Sequence, residues 1–345
     1  MHTLVVRLDN AGDVLLAGPA VCAVAAGSTR VTVLAGPAGA AAARLLPGVD
    51  DVIEWRCPWI DADPAAATRS DVEGLVDTLA GRAIDRALVL TSFHQSPLPT
   101  ALVLRMAGVP WVGATSIDYP GSLLDLRHGV DEMVPEAERA LSLATASGFS
   151  LPHGDDGRLA VRRPLPDVTR LVPSDPFVVV HPGTSVPARA WPAVHHAAAV
   201  RLLVEQGWEV VVTGAPTERT LTAAVAGTSG ARDLGGHTTL AELAGVLAAA
   251  ATVVVGNTGP AHLAAAVGTP VVSLFAPTVP AVKWAPYRIP TVLLGDQRAV
   301  CRDTRVTRCP FEGHPCLTSV TPEAVLRAVE KTCGRAHPLP IPSPV

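Results

Sequence analysis

Short apolar runs alternate with segments of helical periodicity along most of the chain, which is the pattern of parallel strands joined by crossover helices. In the first half, the runs predict strands and the periodic segments predict helices, with strands at Leu4–Leu8, Val31–Leu34, Ala87–Leu90 and Trp111–Val112 and helices at Val14–Ala26, Asp71–Leu79 and Thr100–Met106. This half therefore predicts one α/β domain.

The segment RRPLPDVTRLVPSDP at 162–176 carries four prolines and no periodic apolar face, so it predicts a linker. After it the pattern restarts, with strands at Phe177–Val180, Glu209–Thr213, Thr252–Val255 and Val271–Phe275 and helices at Trp191–Gln206, Glu218–Ala226, Thr239–Ala250, Pro260–Val267 and Pro322–Glu330. We predict an N-terminal domain at 1–165, a second α/β domain at 176–320, and a helix with a Pro-rich tail at 321–345.

Composition narrows the class of protein. A chain of 345 residues exceeds what one hydrophobic core usually organises, which agrees with two domains. The net charge of -4 supplies no positive field for nucleic acid or an anionic membrane, so an anionic ligand must be held locally. We predict no nucleic-acid partner, and only transient contact with a membrane surface is left open.

Targeting signals are not evident in the pattern. Met1–Val6 lacks the layout of a signal peptide, and the most apolar stretch, Leu243–Val255, is about half of the ~20 residues that a membrane helix needs. The six cysteines are better interpreted as thiols than as a disulfide framework. These features predict a cytoplasmic protein without a transmembrane segment.

The first candidate site is VVRLDNAGDVLLAGPA, where a strand runs into Asn10 and Asp13 before a helix begins. Ligands of open α/β sheets bind at the carboxyl ends of the strands, so a carboxylate there faces a cleft, and Asp13 is a candidate general base. Asp is also a frequent helix N-cap, and the local pattern alone favours that interpretation.

Two strand–loop–helix segments in the second half suit an anion. VVVHPGTSVPARAWP offers Thr184, Ser185 and the guanidinium of Arg189, although an ordinary polar loop explains it equally well. In VVVGNTGPAHLAAAVG, the turn at Thr258 and Gly259 exposes backbone N–H groups at a helix N-terminus, where the macrodipole stabilises a diphosphate without a metal. His262 faces the same ligand or satisfies a local hydrogen bond.

Glu218, after the strand in VVVTGAPTERT, is a candidate ribose acceptor or a complement to a helix N-terminus. Asp61 and Asp63 have the spacing of a metal-binding Asp-x-Asp but lie in a Pro-rich loop, which we interpret as surface. Three cysteines with His314 lack the Cys-x-x-Cys pairs of common zinc sites, so zinc is not favoured. The phosphate-loop and dinucleotide-binding glycine motifs are missing, which argues against an ATPase or an NAD enzyme.

Several of these motifs occur in the order found in one family. The chain resembles glycosyltransferase family 9, the heptosyltransferases that use ADP-heptose, through RLDNAGDVLLAGPA, HPGTSVPARAWP, TGAPTE, DLGGHTTLAELAGVLAAA, GNTGPAHLAAAVGTPVVSLFAPT and CRDTRVTRCPFEGHPCL. The resemblance implies an α/β protein of the GT-B fold, with two facing Rossmann-like domains and mostly parallel sheets. It places the donor nucleotide mainly in the C-terminal domain and the acceptor mainly in the N-terminal domain, with no metal or other cofactor.

Roles follow from the resemblance residue by residue. It implies that Asp13 deprotonates the acceptor hydroxyl for inverting transfer, with the acceptor beside Arg7 and Asn10. On the donor side it implies phosphate contacts at Thr184, Ser185, Arg189, Thr258, Gly259 and His262, a ribose contact at Glu218, an adenine contact at Thr238 and a sugar contact at Asn257. Asn257 departs from the family, which usually has Asp there, and Thr304 stands where related chains often carry another cysteine.

The resemblance therefore predicts a heptose transfer from ADP-heptose to a hydroxyl of a glycan, a lipid-linked or a secondary-metabolite acceptor. Two alternatives stay open from the sequence: a GT-B transferase that uses a UDP- or GDP-hexose, and a sugar-nucleotide-binding protein without catalysis, for which Asn257 is the hint.

Overall fold

The computed structural model describes residues 1–61, 63–131 and 133–334. The predicted Pro-rich tail lies outside the described residues. The chain divides into two compact units, the first made of Met1–Pro164 and Val282–Tyr287 and the second of Leu165–Ala281 and the chain from Arg288 onwards. The division falls inside the Pro-rich segment at 162–176, which contains no helix or strand.

The first unit alternates strands and helices from its first residues. Its elements are β1 (His2–Arg7), α1 (Ala11–Leu16), α2 (Gly18–Ala26), β2 (Arg30–Ala35), α3 (Pro37–Leu45), β3 (Asp51–Glu54), α4 (Arg69–Ala80), β4 (Arg86–Val89), α5 (Leu98–Met106), β5 (Trp111–Thr115), β6 (Leu126–His128) and α6 (Glu136–Ala146). The six strands form one parallel sheet in the order β3-β2-β1-β4-β5-β6.

This strand order reverses direction between β1 and β4, where Val6 pairs with Val89. The central strands are buried on both faces, since every residue of β1 is buried, as expected for a parallel sheet covered by helices. A crevice opens beyond the carboxyl ends of the strands at such a reversal, so residues after β1 and β4 are in position to meet a ligand.

The second unit repeats the architecture. Its elements are β7 (Phe177–His181), α7 (Ala193–Glu205), β8 (Glu209–Gly214), α8 (Arg219–Ala226), β9 (Arg232–Gly235), α9 (Leu240–Ala249), β10 (Thr252–Gly256), α10 (Gly259–Val267), β11 (Val271–Leu274), α11 (Ala281–Trp284), β12 (Thr291–Leu294), α12 (Pro315–Thr318) and α13 (Pro322–Cys333), although most of α11 belongs to the first unit. The parallel sheet has the order β12-β11-β10-β7-β8-β9, so its reversal lies between β7 and β10.

With one exception, the predicted strands and helices are confirmed, with bounds that shift by a few residues. The elements form two α/β units, each with one parallel sheet, as expected. One predicted helix, Val14–Ala26, is wrong as a single element. It is divided at Ala17 into α1 and α2, and Pro19 lies in the first turn of α2, where its missing N–H costs no hydrogen bond. In the described part of the chain, no helix is both long and apolar enough to cross a membrane.

Candidate active site

Asp13 lies just beyond the carboxyl end of β1, in the first turn of α1. The helix begins after Asn10, whose extended backbone makes it the N-cap, and the exposed side chain of Asn10 makes no capping hydrogen bond. The interpretation of Asp13 as the N-cap is therefore wrong. Its carboxylate still lies at the positive end of the helix, where the macrodipole favours a negative charge.

Arg7 ends β1 and holds the carboxylate of Asp13. Its Nη2 donates to Oδ1 of Asp13 at 3.0 Å and to Oγ of Ser92 at 3.0 Å, and Ser92 lies beyond the end of β4. The arginine side chain is only 4% exposed and that of Asp13 is 19% exposed. Oδ2 of Asp13 has no hydrogen-bond partner among the described residues, so one oxygen remains able to accept a further hydrogen bond.

A second carboxylate, which the sequence prediction did not include, shares the same arginine. Nε of Arg7 lies 3.0 Å from Oδ2 of Asp9, and Gln95 donates to Oδ1 of Asp9. Burial raises the pKa of Asp9, and the charge of Arg7 offsets this only in part. Burial alone would lower the pKa of Arg7, but Asp9, Asp13 and Glu136 outweigh it and raise the pKa above its usual value. Arg7 therefore stays charged.

Close backbone approach fixes the loop between β1 and α1. A methyl group added to Gly39, in the first turn of α3, would lie 2.7 Å from the carbonyl oxygen of Asp9 and 2.7 Å from Cγ2 of Val14. One added to Gly36 would lie 2.5 Å from the carbonyl oxygen of Leu8. Glycine at both positions lets α3 pack directly on the loop that carries Asp9 and leads to Asp13.

In the second unit, the loop after β7 meets the loop after β8. His181 is buried at the end of β7, where Nδ1 lies 3.0 Å from Oγ1 of Thr213 and Nε2 lies 3.9 Å from Oε2 of Glu218. Oε2 of Glu218 accepts from the N–H of Ala215 at 2.7 Å. Burial lowers the pKa of His181 to about 4, against the opposing charge of Glu218, so the ring is neutral at pH 7.

Glu218 thus complements the start of the short 3-10 helix at Pro216–Glu218, which is the structural interpretation offered by the sequence. Its side chain is nevertheless 23% exposed at the carboxyl ends of β7 and β8, so its carboxylate is open to a ligand as well. A methyl group added to Gly183 would overlap this carboxylate. Glycine at this position leaves room for the Glu218 carboxylate where it lies.

The turn from β10 into α10 gathers polar groups that lack partners. Asn257 and His262 are buried, and neither Nδ2 of Asn257 nor Nδ1 of His262 has a hydrogen-bond partner in the described part of the protein. Thr258 is the N-cap of α10, and its side chain makes no capping bond. Burial lowers the pKa of His262 to about 4, with a further contribution from the charge of Arg189. The N-terminus of a helix favours an anion, and Nδ2 of Asn257 is a further donor beside it.

Arg189 lies close to this turn. It ends a short 3-10 helix, Pro187–Arg189, and a methyl group on Gly256 would lie 3.4 Å from its carbonyl oxygen. The neighbouring Ala188 donates its N–H to the carbonyl of Thr307 at 3.0 Å, and its carbonyl lies 3.0 Å from Nε2 of His314. The segment between Cys301 and Cys316, which contains Thr307 and His314, therefore supports the loop that carries Arg189.

The remaining predicted residues are more peripheral. Oγ1 of Thr184 accepts from the N–H of Val186 at 3.3 Å, and Ser185 is exposed. Thr238 follows β9 and precedes Thr239, the N-cap that forms a capping box with Glu242 at the start of α9. The second-unit candidates thus follow the carboxyl ends of β7, β8, β9 and β10, at one edge of one sheet.

Neither alternative metal motif forms a metal-binding cluster. Among the described residues, no group of three or more His, Cys, Asp and Glu side chains could hold a metal ion. Asp61 pairs with Arg56 and accepts the N–H of Asp63 at 3.2 Å, as in a local turn. Cys301 and Cys316 are buried free thiols, and burial raises the pKa of Cys316 to about 12.

Comparison with known proteins agrees with the architecture. The family model described as glycosyltransferase family 9 (heptosyltransferase) matches residues 74–314. The chain is 29% identical over 226 residues to lipopolysaccharide heptosyltransferase 2 of Escherichia coli K12, a match of 59% of this chain and 63% of that protein. The match thus spans less than two thirds of the relative's length.

Two solved structures show the same fold. The E. coli ADP-heptose LPS heptosyltransferase II has a TM-score of 0.74 at 21% identity, with 96% of this chain and 98% of that chain covered. E. coli heptosyltransferase WaaC with ADP-2-deoxy-2-fluoro heptose has a TM-score of 0.71 at 21% identity, with 96% and 99% covered. At these identities the likeness establishes the fold alone.

Proposed function

The chain belongs to glycosyltransferase family 9 (heptosyltransferase), and from this membership we propose that it transfers a heptose from ADP-heptose to an acceptor hydroxyl, with inversion and without a metal. Asp13 acts as the general base. It takes the proton of the acceptor hydroxyl while the oxygen attacks the anomeric carbon, and ADP leaves from the opposite face of the sugar.

The pair formed by Arg7 and Asp13 carries this proposal. A general base needs a carboxylate held in place with an oxygen open to the substrate, and Asp13 meets these conditions through its bond to Arg7 and its unengaged Oδ2. Arg7 orients the carboxylate. A positioned base of this kind contributes about 10² to 10⁴-fold to turnover.

The donor diphosphate is assigned to the N-terminus of α10 and to Arg189. Thr258 and Gly259 offer hydroxyl and N–H groups, and Arg189 supplies a cation that neutralises charge on the departing ADP. Thr184 and Ser185 extend this site in the loop after β7. His262, neutral at pH 7, serves as a hydrogen-bonding group rather than as a cation.

Recognition of the nucleoside and the sugar is assigned to the flanking residues. Glu218 accepts from the ribose hydroxyls with the oxygen that Ala215 leaves open, and the backbone at Thr238 meets adenine. Nδ2 of Asn257 is buried without a partner in the described chain, so it donates to a sugar oxygen. Replacement Asn257→Ala should lower kcat/KM for the nucleotide sugar about tenfold and leave ADP affinity unchanged.

The decisive test is release of ADP from ADP-heptose in the presence of a panel of hydroxyl-bearing acceptors. The wild type should release ADP above the buffer rate, and Asp13→Asn should bind ADP normally but turn over about 10² to 10⁴-fold more slowly. NMR of the product should show the anomeric configuration inverted. Tight ADP binding with no acceptor-dependent release would instead indicate a non-catalytic binding protein.

A second measurement separates donor classes. ADP should raise the melting temperature more than UDP or GDP at equal concentration, because a ligand that binds the native state stabilises it by RT ln(1 + [L]/Kd). A larger shift with UDP or GDP would redirect the proposal to a hexose donor. Addition of EDTA should leave turnover unchanged, since no step in the proposal uses a metal.

A further inference from the structure

Helix α6 brings two more charged groups to the buried side of Arg7. Glu136 and Arg139 lie on its first turn, with Oε2 of Glu136 3.8 Å from Nη1 of Arg139 and side chains only 2% and 10% exposed. Arg139 also donates to the carbonyl of Thr91, beyond the end of β4. Neither residue belongs to a motif that the sequence singles out.

A small cavity joins these groups to Arg7. Its volume is about 10 Å³, and its walls include Arg7, Thr91, Glu136 and Arg139. Oε1 of Glu136 and Oγ1 of Thr91 have no hydrogen-bond partner within the described residues. Glu136 and Arg7 therefore border the same buried space, where little solvent screens their charges.

Three carboxylates, those of Asp9, Asp13 and Glu136, act on the positive charge of Arg7. Arg139 and Lys283 supply two further positive charges near Glu136. The charge of His94 lowers the pKa of Asp9, and the charge of Lys283 lowers the pKa of Glu136. The single charge of Arg7 is thus shared by three carboxylates, so its attraction for Asp13 depends on the other two.

We propose that Glu136 is a positioning residue that tunes the basicity of Asp13 by sharing the charge of Arg7. The proposal rests on the proposed role of Asp13 as the base. An arginine that neutralised Asp13 alone would make it a weak base. A buried negative charge beside the same guanidinium offsets part of that attraction, so the Asp13 carboxylate accepts a proton from the acceptor hydroxyl more readily.

Substitution Glu136→Gln removes the charge and keeps the shape. The acid limb of the pH–kcat profile should move about 1 pH unit lower, because a negative charge beside the catalytic cluster has been removed. The plateau of kcat should fall about threefold as proton transfer loses driving force, with KM for the nucleotide sugar unchanged. A merely structural role would lower stability and kcat without moving the acid limb.

Glu138→Gln is the matched control. Glu138 lies on the same helix two residues away, and its Oε1 accepts from the hydroxyl of Tyr287, a bond that glutamine preserves. This variant should retain the wild-type acid limb. An equal displacement in both variants would overturn the proposal, because the effect would then follow from any charge removed from α6.

A second measurement does not need turnover. Coupling between two charges is reciprocal, so removal of the Asp13 charge must change the pKa of Glu136. Burial raises the pKa of Glu136, and the charge of Asp13 raises it further. In a carbon-13 NMR titration of labelled glutamates, assigned with Glu136→Gln, the Glu136 pKa should be lower in Asp13→Asn than in the wild type.

The two measurements fail independently. An unchanged Glu136 pKa in Asp13→Asn overturns the coupling even if the protein is an active transferase. A lowered Glu136 pKa in a protein that transfers no sugar supports the electrostatic coupling and overturns only the proposed function.

Discussion

Nη2 of Arg7 lies 3.0 Å from Oδ1 of Asp13, and Nε of the same guanidinium lies 3.0 Å from Oδ2 of Asp9. One buried cation therefore fixes two carboxylates that are four residues apart, one in the loop after β1 and one in the first turn of α1. The rigid guanidinium plane suits this double role, which a lysine ammonium could not reproduce with the same geometry.

Replacement Arg7→Met should destabilise the protein strongly, because it leaves buried carboxylates without their cation. We expect a loss of about 3–5 kcal/mol in the free energy of unfolding at pH 7.5, measured by urea denaturation. The orphaned carboxylates would have folded-state pKa values above their unfolded values, so the folded state would bind more protons as the pH falls. The deficit should therefore shrink at pH 5.

Arg69→Met is the control for this experiment. Arg69 also pairs with a carboxylate, Glu73 at 3.2 Å, but the arginine side chain is 88% exposed. An exposed pair contributes about 0–1 kcal/mol, so this variant should unfold near the wild-type midpoint. A similar loss in both variants would contradict the importance of burial at Arg7.

Gly39→Ala should slow turnover, because its methyl group would press on the carbonyl of Asp9 and on Val14. The shift of the loop should cost about 1–3 kcal/mol of stability and lower kcat with little change in KM for the donor. Gly74→Ala, inside α4, offers the matched control, since no atom lies within 4 Å of its added methyl group. That change should stabilise the protein by about 0.5–1 kcal/mol, as alanine favours a helix.

Gly183→Ala tests the role of Glu218 without altering that residue. The methyl group would displace the carboxylate of Glu218, which lies at the end of a flexible side chain, so the fold should survive. If the carboxylate binds ribose, Gly183→Ala and Glu218→Ala should each weaken ADP about tenfold in calorimetry. The double variant should also lose about tenfold. An additive hundredfold loss would show that the two residues act separately.

The parts of the fold that the sequence predicts well are the buried strands. Runs such as Leu4–Leu8 and Phe177–Val180 are continuous and apolar because central parallel strands are covered on both faces. The edge strands β3, β6, β9 and β12 escape prediction, since they are short and three of them, DVIE, LRH and RDLG, carry charged residues. Helix α3, PAGAAAARL, also escapes prediction, because its buried residues are only glycine and alanine, which do not mark a core-facing side as larger apolar residues do.

The candidate site divides in the same way. Asp13, Arg189 and Thr258 stand at strand–helix junctions, where local sequence and the ordered motifs are informative, and their roles stay predictions until activity is measured. Asp9 was within the first motif but had no signal separating it from a loop residue. Glu136 lies 129 residues after Arg7 in the chain, and only the packing of α6 brings its charge to the cluster.

His196 gives a prediction about pH and stability. It is 1% exposed, and its ring packs edge to face against Trp191 with the ring centroids 4.8 Å apart. Burial lowers its pKa to about 3, with smaller contributions from His181 and His195. An unfolded histidine has a pKa of about 6.5, so the unfolded state binds a proton that the folded state rejects. The resulting penalty is absent above pH 6.5 and grows as the pH falls toward 3.

Between pH 7.5 and pH 5, this single group should remove about 2 kcal/mol from the free energy of unfolding. His196→Leu abolishes that proton uptake, so its stability should fall less over this interval, by about that amount. At pH 7.5 the variant should lie within about 1 kcal/mol of the wild type, because Nδ1 of His196 has no partner to lose in the described chain. His153→Leu, at an exposed position, is the control and should keep the pH dependence of the wild type. An identical change of stability with pH in the wild type and both variants would contradict the prediction, because the folded state would then take up the His196 proton as the unfolded state does.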